Sequence, residues 1–274
     1  MKIVDHVLIM DIDGVITNPR EKRITEPEIL DHIANKINNG EPVALNTGRS
    51  LSWLGERRII SDISERIKDK KNFENLLVIG EKGGTWLTFS EDGTIQHHKD
   101  DSISVPQSLQ EKVKNLIEAE HSDSMFYDAS KETMITVEMK DGYDIGKYKE
   151  EQAILEKQLL IFLEQSSLNN QLKIDSTTIA VDVKNSHVGK GFAVKKIIEW
   201  IRSKGINPQR YIAFGDSFRS DIPMAQDIYS QGLPVEFVYV GKEDIDASAF
   251  PFTIHQTHAK FEKGTLEFLK EHSA

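Results

Sequence analysis

The chain has 274 residues, 38% of them hydrophobic and 28% charged, an ordinary balance for a soluble globular protein with room for two domains. A formal net charge of −10 argues against a nucleic-acid partner, which needs a basic surface, and the lack of cysteine rules out disulfides, thiolate catalysis and Cys-based metal sites. No apolar run approaches the roughly 20 residues of a transmembrane helix, so no membrane association is expected and the cytoplasm is the expected location. A small phosphorylated molecule remains a compatible partner, because a few local cations and a metal can bind one phosphate whatever the global charge.

The N-terminal MKIVDHVLIMDIDG ends its apolar run on carboxylates and reads as a strand over Val4–Met10, not as a signal peptide. A helix with Pro27 near its start runs to about Asn38, with Asn39-Gly40 as its stop. Pro42–Leu45 is a second strand, Leu51–Lys68 a helix and Leu76–Ile79 a third strand. Strands separated by helices imply right-handed crossovers and a parallel sheet.

The pattern then changes. Thr85–Phe89 and Thr94–His98 flank Ser90-Glu91-Asp92-Gly93, a hairpin signal. A helix after Pro106, a strand at Thr133–Met139, a helix over Ile145–Gln165 and a second hairpin, Lys173-Ile174 with Thr178–Val183, complete an α+β stretch. From Gly189 the alternation resumes: a helix to Lys204 with Val194, Ile197, Ile198 and Ile201 on one face, a strand at Tyr211–Phe214, a helix over Asp221–Tyr229, a strand at Val235–Val240 and a closing helix around Leu266–Lys270. The expected fold class is α/β: a doubly wound, Rossmann-like parallel core formed by residues 1–83 and 183–274, with an α+β cap inserted as residues 84–182.

Four elements carry chemistry. Asp11 and Asp13, in Asp11-Ile12-Asp13-Gly14, end the first strand, where open parallel sheets bind ligands, and their spacing of two turns both carboxylates to one side. Asp216 and Asp221, in Gly215-Asp216-Ser217-Phe218-Arg219-Ser220-Asp221, follow another apolar strand. Carboxylates from two strands are the hard oxygen ligands Mg²⁺ prefers, although Asp221 also suits a plain helix N-cap. Asn46-Thr47-Gly48-Arg49, at a strand-to-helix turn, offers a hydroxyl and free backbone N–H groups to an anion, or simply a cap. Lys190, in Gly189-Lys190-Gly191, opens a helix against its macrodipole and so lacks a local stabilising reason.

In this order the four elements resemble the motifs of the haloacid dehalogenase-like phosphatase superfamily: D-x-D-G-x-[TV] at Asp11–Ile16, a hydroxyl at Thr47, a lysine at Lys190 and G-D-x(3–4)-D at Gly215–Asp221. The insert between the second and third motifs, the Thr-Gly-Arg triplet and the length are similar to the C2-capped sugar-phosphatase branch. The resemblance implies Asp11 as nucleophile and metal ligand, and Asp13 as general acid then base, its main-chain carbonyl also on the metal. Thr47, Gly48, Arg49 and Lys190 would bind the phosphoryl group, and Asp216 and Asp221 would hold Mg²⁺, the last directly or by orienting a ligand. Ile16 stands where the family has Thr or Val, and Ser220 where this branch often has Asn.

A magnesium-dependent phosphatase acting on a small phosphate monoester, a sugar phosphate above all, is therefore expected. A phosphosugar mutase would use the same Asp11. A phosphoaccepting signalling module would be about half this length, and a silent binding protein has no reason to keep all four elements. Trp53 and Trp86 read as packing residues, Trp86 also as a cleft neighbour, and His97-His98 as solvated. Lys184 and His187 read as candidate substrate contacts.

Overall fold

The computed structural model describes residues 2–272. Its elements are β1 (Lys2–Met10), α1 (Glu28–Asn38), β2 (Val43–Asn46), α2 (Leu51–Glu56), α3 (Ile59–Ser64), β3 (Leu76–Gly80), β4 (Thr85–Phe89) and β5 (Ile95–Lys99). There follow α4 (Gln107–Leu116), β6 (Met125–Tyr127), β7 (Ile135–Met139), α5 (Ile145–Gln165), β8 (Leu172–Ser176) and β9 (Ala180–Asn185). The chain ends with α6 (Lys190–Ser203), β10 (Ile206–Gly215), α7 (Phe218–Ser230), β11 (Val235–Tyr239), β12 (Thr253–Gln256) and α8 (Glu262–Glu271).

Eight strands form one sheet in the order β12-β11-β10-β1-β2-β3-β4-β5, parallel from β12 to β3 and antiparallel from β3 to β4. The run Val7–Met10 is buried residue by residue because helices cover both faces. Leu8 and Met10 pack with Ile33 of α1 and Phe268 of α8 on one side, while Val7 and Ile9 pack with Ile197 of α6 and Ile228 of α7 on the other. In α1, Ile29, Ile33 and Ile37 recur every four residues and give the helix its buried stripe. The fold class is the expected α/β.

The insert differs from the expected 84–182. Lys99–Val188 forms one compact unit and the rest of the described chain the other. The hairpin β4–β5 belongs to the core sheet: Leu87 and Trp86 pair with Val78 and Ile79, and Leu87 and Phe89 join the cluster beside α1. At the far boundary Val183 pairs with Ile135 and Ile174, which keeps β9 in the insert. Composition marked the change of pattern correctly, but only pairing decides which sheet a hairpin extends.

Within itself the insert is an antiparallel sheet, β6-β7-β9-β8, packed with α4 and α5 around Val113, Val137, Tyr148, Leu155 and Val181. The helix expected over Leu51–Lys68 is broken, because Arg58 adopts a left-handed conformation with φ 57°. Continuing the stripe Leu51, Leu54 by another turn would bury Arg58. The break instead resets the phase so that Ile59, Ile60 and Ile63 face the core. The short strands β6 and β12 lay outside the sequence reading, since neither carries an apolar alternation. No helix among the described residues is long and apolar enough to cross a membrane.

Candidate active site

Register places the acids. Met10 pairs with Phe214, and the Asp11 N–H donates to the Phe214 carbonyl at 3.1 Å, so the chain leaving β1 runs beside Gly215-Asp216 leaving β10. The turn after Asp11 closes tightly, with the Gly14 N–H donating to Thr17 O and the Ile16 and Thr17 N–H groups both reaching Ile12 O. Gly14 sits at φ +72°, and a Cβ there would collide with the Asp216 carboxylate. A Cβ at Gly215 would likewise collide with Asp221. Both glycines are needed because carboxylates fill the space a side chain would take.

Asp11, Asp216 and Asp221 each offer an oxygen within 4.8 Å of the others. Lys190 opens α6 and inserts its ammonium among them, 2.7 Å from Asp11 Oδ2 and paired also with Asp221 Oδ1. Asn46 holds that helix end in place: its side-chain N–H donates to the Lys190 carbonyl at 3.0 Å. Burial pushes the Asp11 carboxyl well above its usual range; Lys190 opposes this, while Asp221, Asp216 and Asp13 add to it. Asp216 is pushed up to about 7 by burial and by Asp221, again against Lys190. Burial alone would depress Lys190, but Asp11 and Asp221 reverse this and raise it. Three carboxylates around one ammonium leave negative charge unbalanced, and the donors are all hard oxygens, so the residues present fit a Mg²⁺-type cation.

Asp221 is not the helix cap that its sequence position allowed. It lies within the first turn of α7, fully buried, where its Oδ2 accepts from the Ser217 N–H at 3.0 Å and its Oδ1 from Ser220 and Lys190. Those bonds suit an orienting role at the edge of a cation site. Ser220 thus has a use of its own here.

Asp13 is partly exposed and held by Arg49, whose Nε and Nη2 reach its two carboxylate oxygens at 2.9 and 3.2 Å. The same guanidinium lies 4.8 Å from the Trp53 ring centroid, so Trp53 is a packing residue with a job: it fixes Arg49 in the fork. Thr47 is buried at the end of β2 and its Oγ1 accepts from the Arg49 N–H at 3.1 Å. The backbone of this turn is locked by Glu81-Lys82-Gly83, three residues in succession at positive φ, with Glu81 N–H donating to Arg49 O and Lys82 N–H to Thr47 O. Sequence reasoning missed Glu81 and Lys82, although Gly83-Gly84 beside them was the available signal. Lys82 packs so near Gly48 that a Cβ there would lie 3.2 Å from its Cε, which puts a second lysine by the Thr47–Arg49 turn.

The remaining candidates separate. Gly191 serves packing, since a Cβ would strike Asp227 and the Pro223 carbonyl of α7. His98 is half-buried, not solvated: its ring stacks on Trp86 at 5.1 Å and its Nε2 meets Thr88 Oγ1 at 2.8 Å. Lys184 is buried within the insert and paired with Asp175, whereas His187 is exposed.

No protein-family model and no curated relative matches the sequence. The fold is one shared by solved structures of trehalose-6-phosphate phosphatases. Among solved structures, the chain is similar to the C-terminal domain of C. albicans trehalose-6-phosphate phosphatase, with a TM-score of 0.65 at 16% identity over 97% of this chain and 92% of that one. It is also similar to a Thermoplasma acidophilum protein, with a TM-score of 0.61 at 18% identity over 97% of each chain. A third likeness is to Aspergillus fumigatus trehalose-6-phosphate phosphatase, with a TM-score of 0.54 at 17% identity over 98% and 93%.

Proposed function

We propose that the chain is a Mg²⁺-dependent phosphatase of small phosphate monoesters, a sugar phosphate first among them, working through an aspartyl-phosphate on Asp11. The observation that supports this most is the group formed by Asp11 and Asp216, just past the ends of β1 and β10, with Lys190 of α6 and Asp221 of α7, and Asp13 with its arginine fork alongside.

Asp11 and Asp216 would hold the cation, with Asp221 behind them, and when bound it would offset the charge of the phosphoryl oxygens. An Asp11 carboxylate oxygen bonds to phosphorus as the ester P–O bond breaks, and the leaving alkoxide takes a proton from Asp13. Water then attacks phosphorus and passes its proton to the Asp13 carboxylate, and inorganic phosphate departs with Asp11 restored. Lys190 keeps Asp11 in place and lowers its repulsion for the incoming anion. An arginine fork pairs with a carboxylate, so Asp13 gives up the Arg49 fork when it carries the proton. Arg49 then turns to the phosphoryl oxygens beside Thr47.

Phosphate release should be measured across phosphorylated sugars and small phosphoesters, with labelled phosphate retained on acid-quenched protein as the second readout. Release with label on the wild-type chain, and no label on Asp11→Asn, supports the reading. If label instead moves to a sugar acceptor without free phosphate, the phosphosugar mutase reading replaces it. Absence of both label and release across the panel would rule out both.

A further inference from the structure

A cavity of about 280 Å³ lies between α1 and α8 over the core sheet, close to the lower limit of roughly 300 Å³ for small-molecule sites. His6 of β1 reaches it, five residues before Asp11, so the two are separated by about 16 Å along the strand. Its floor is apolar, from Leu8, Ile212 and Leu269, and its walls carry His6 and His272 with Asn35 at the rim.

The hydrogen bonds fix both tautomers. His6 is 8% exposed and its Nδ1 lies 2.7 Å from the Asp5 carboxylate, an acceptor, so Nδ1 carries the proton. His272 Nδ1 lies 2.9 Å from the Phe268 carbonyl, also an acceptor, so it too donates. Each ring is left with an Nε2 lone pair that has no hydrogen-bond partner in the structure. Burial lowers the His6 pKa, against the raising effect of Asp5, which keeps that lone pair available at neutral pH. His272 also stacks on Phe268 at 4.0 Å and 14°, which makes a flat wall.

The charged groups around the cavity cancel locally. Lys36 pairs with Glu41, and Asp5 faces both His6 and Arg210. His32 adds an imidazole from α1 whose pKa burial again lowers, and His255 packs against both Phe268 and His272, at 5.2 and 5.9 Å, with its Nε2 on Glu236. An anion therefore has no uncompensated cation to meet here. A metal ion is a poor fit as well, since the only three-ligand cluster among the described residues is the acidic one at Asp11. What remains is an apolar floor with polar side chains at its rim and two acceptors, Nε2 of the buried His6 ring and Nε2 of the exposed His272 ring stacked on Phe268.

We propose that this cavity is a second binding site, for a small flat ring bearing two outward hydrogen-bond donors, which His6 Nε2 and His272 Nε2 accept. The site does not depend on the reaction assigned to Asp11.

Resorcinol is the probe, and 1,3-dimethoxybenzene, the same ring without donors, is its control. Both are titrated into the full chain while the imidazole ¹⁵N resonances of His6 and His272 are followed. Resorcinol should give saturable shifts at both rings, with the dimethoxy ring at least about tenfold weaker, the effect of losing one or two hydrogen bonds. His272→Phe, which keeps the stack and removes the acceptor, should weaken resorcinol about tenfold. Asn35→Trp, on the exposed face of α1, should plug the mouth and abolish binding. Equal affinity for the two rings, no saturable shift at His6 and His272, or resorcinol binding unchanged in Asn35→Trp would each overturn the proposal.

Discussion

The core and the insert both bury charge, but they balance it differently. In the insert the partners come from its own strands and helices: Lys184 pairs with Asp175 on the neighbouring strand, Thr136 donates to Asp182, and His121 sits between Glu151 and Gln158. In the core, Asp11, Asp216 and Asp221 come from two chain segments two hundred residues apart, and Asp11 and Asp221 share Lys190. Matched pairs give a unit its rigidity. A buried group with charge left over costs stability and is kept where a ligand can use it.

The contrast can be tested from its strongest consequence downward. Asp11→Asn should cut phosphate release by at least about a thousandfold while leaving the thermal midpoint close to wild type, since the amide fills the same space but cannot attack phosphorus. Near-normal turnover in that variant would end the covalent reading. Chelation should abolish release and Mg²⁺ restore it, with Ca²⁺ inhibiting because its looser coordination disfavours in-line geometry. Asp216→Ala should raise the Mg²⁺ concentration needed for half-maximal rate, and full activity in excess chelator would contradict it.

Stability should separate the two regions next. Lys190→Met leaves two buried carboxylates unpaired and should cost about 3–5 kcal/mol in urea unfolding. Lys184→Met should cost less, because its partner Asp175 is a third exposed and can be rehydrated. Equal losses would erase the difference between the two regions. Arg49→Lys, which replaces the planar fork by a point charge, should slow release by roughly tenfold through Asp13 and leave the Mg²⁺ requirement unchanged.

The smallest effect concerns His6. Its folded pKa lies below the ordinary 6.5, so the unfolded chain binds the extra proton first on acidification. Stability from this group is full above about 6.5 and is lost as pH falls toward the folded value. Asp5, held low chiefly by its hydrogen bond with His6, changes stability in the same direction at lower pH. Urea midpoints should therefore fall between pH 7.5 and 5.5, and less steeply in His6→Asn; parallel slopes would remove His6 as the cause.

Much of this was legible in the sequence. The apolar runs ending on Asp11 and on Gly215-Asp216, with helices between them, are local signals, because a buried parallel strand needs an unbroken apolar run and a ligand crevice needs the chain to turn at its carboxyl end. Lys190 stood out for the same kind of reason, a cation where a helix dipole disfavours one. The tertiary structure alone decided the rest. Whether the hairpin β4–β5 extends the core sheet depends on Val78 and Ile79 having a free edge, which no local pattern encodes. That Asp221 binds Lys190 instead of capping α7, and that Arg49 forks Asp13 while resting on Trp53, follow from side chains meeting across loops far apart in the chain. Sequence sets each segment's period and chemistry through neighbouring residues, whereas pairing across the sheet is settled by which surfaces remain to be buried once the segments come together.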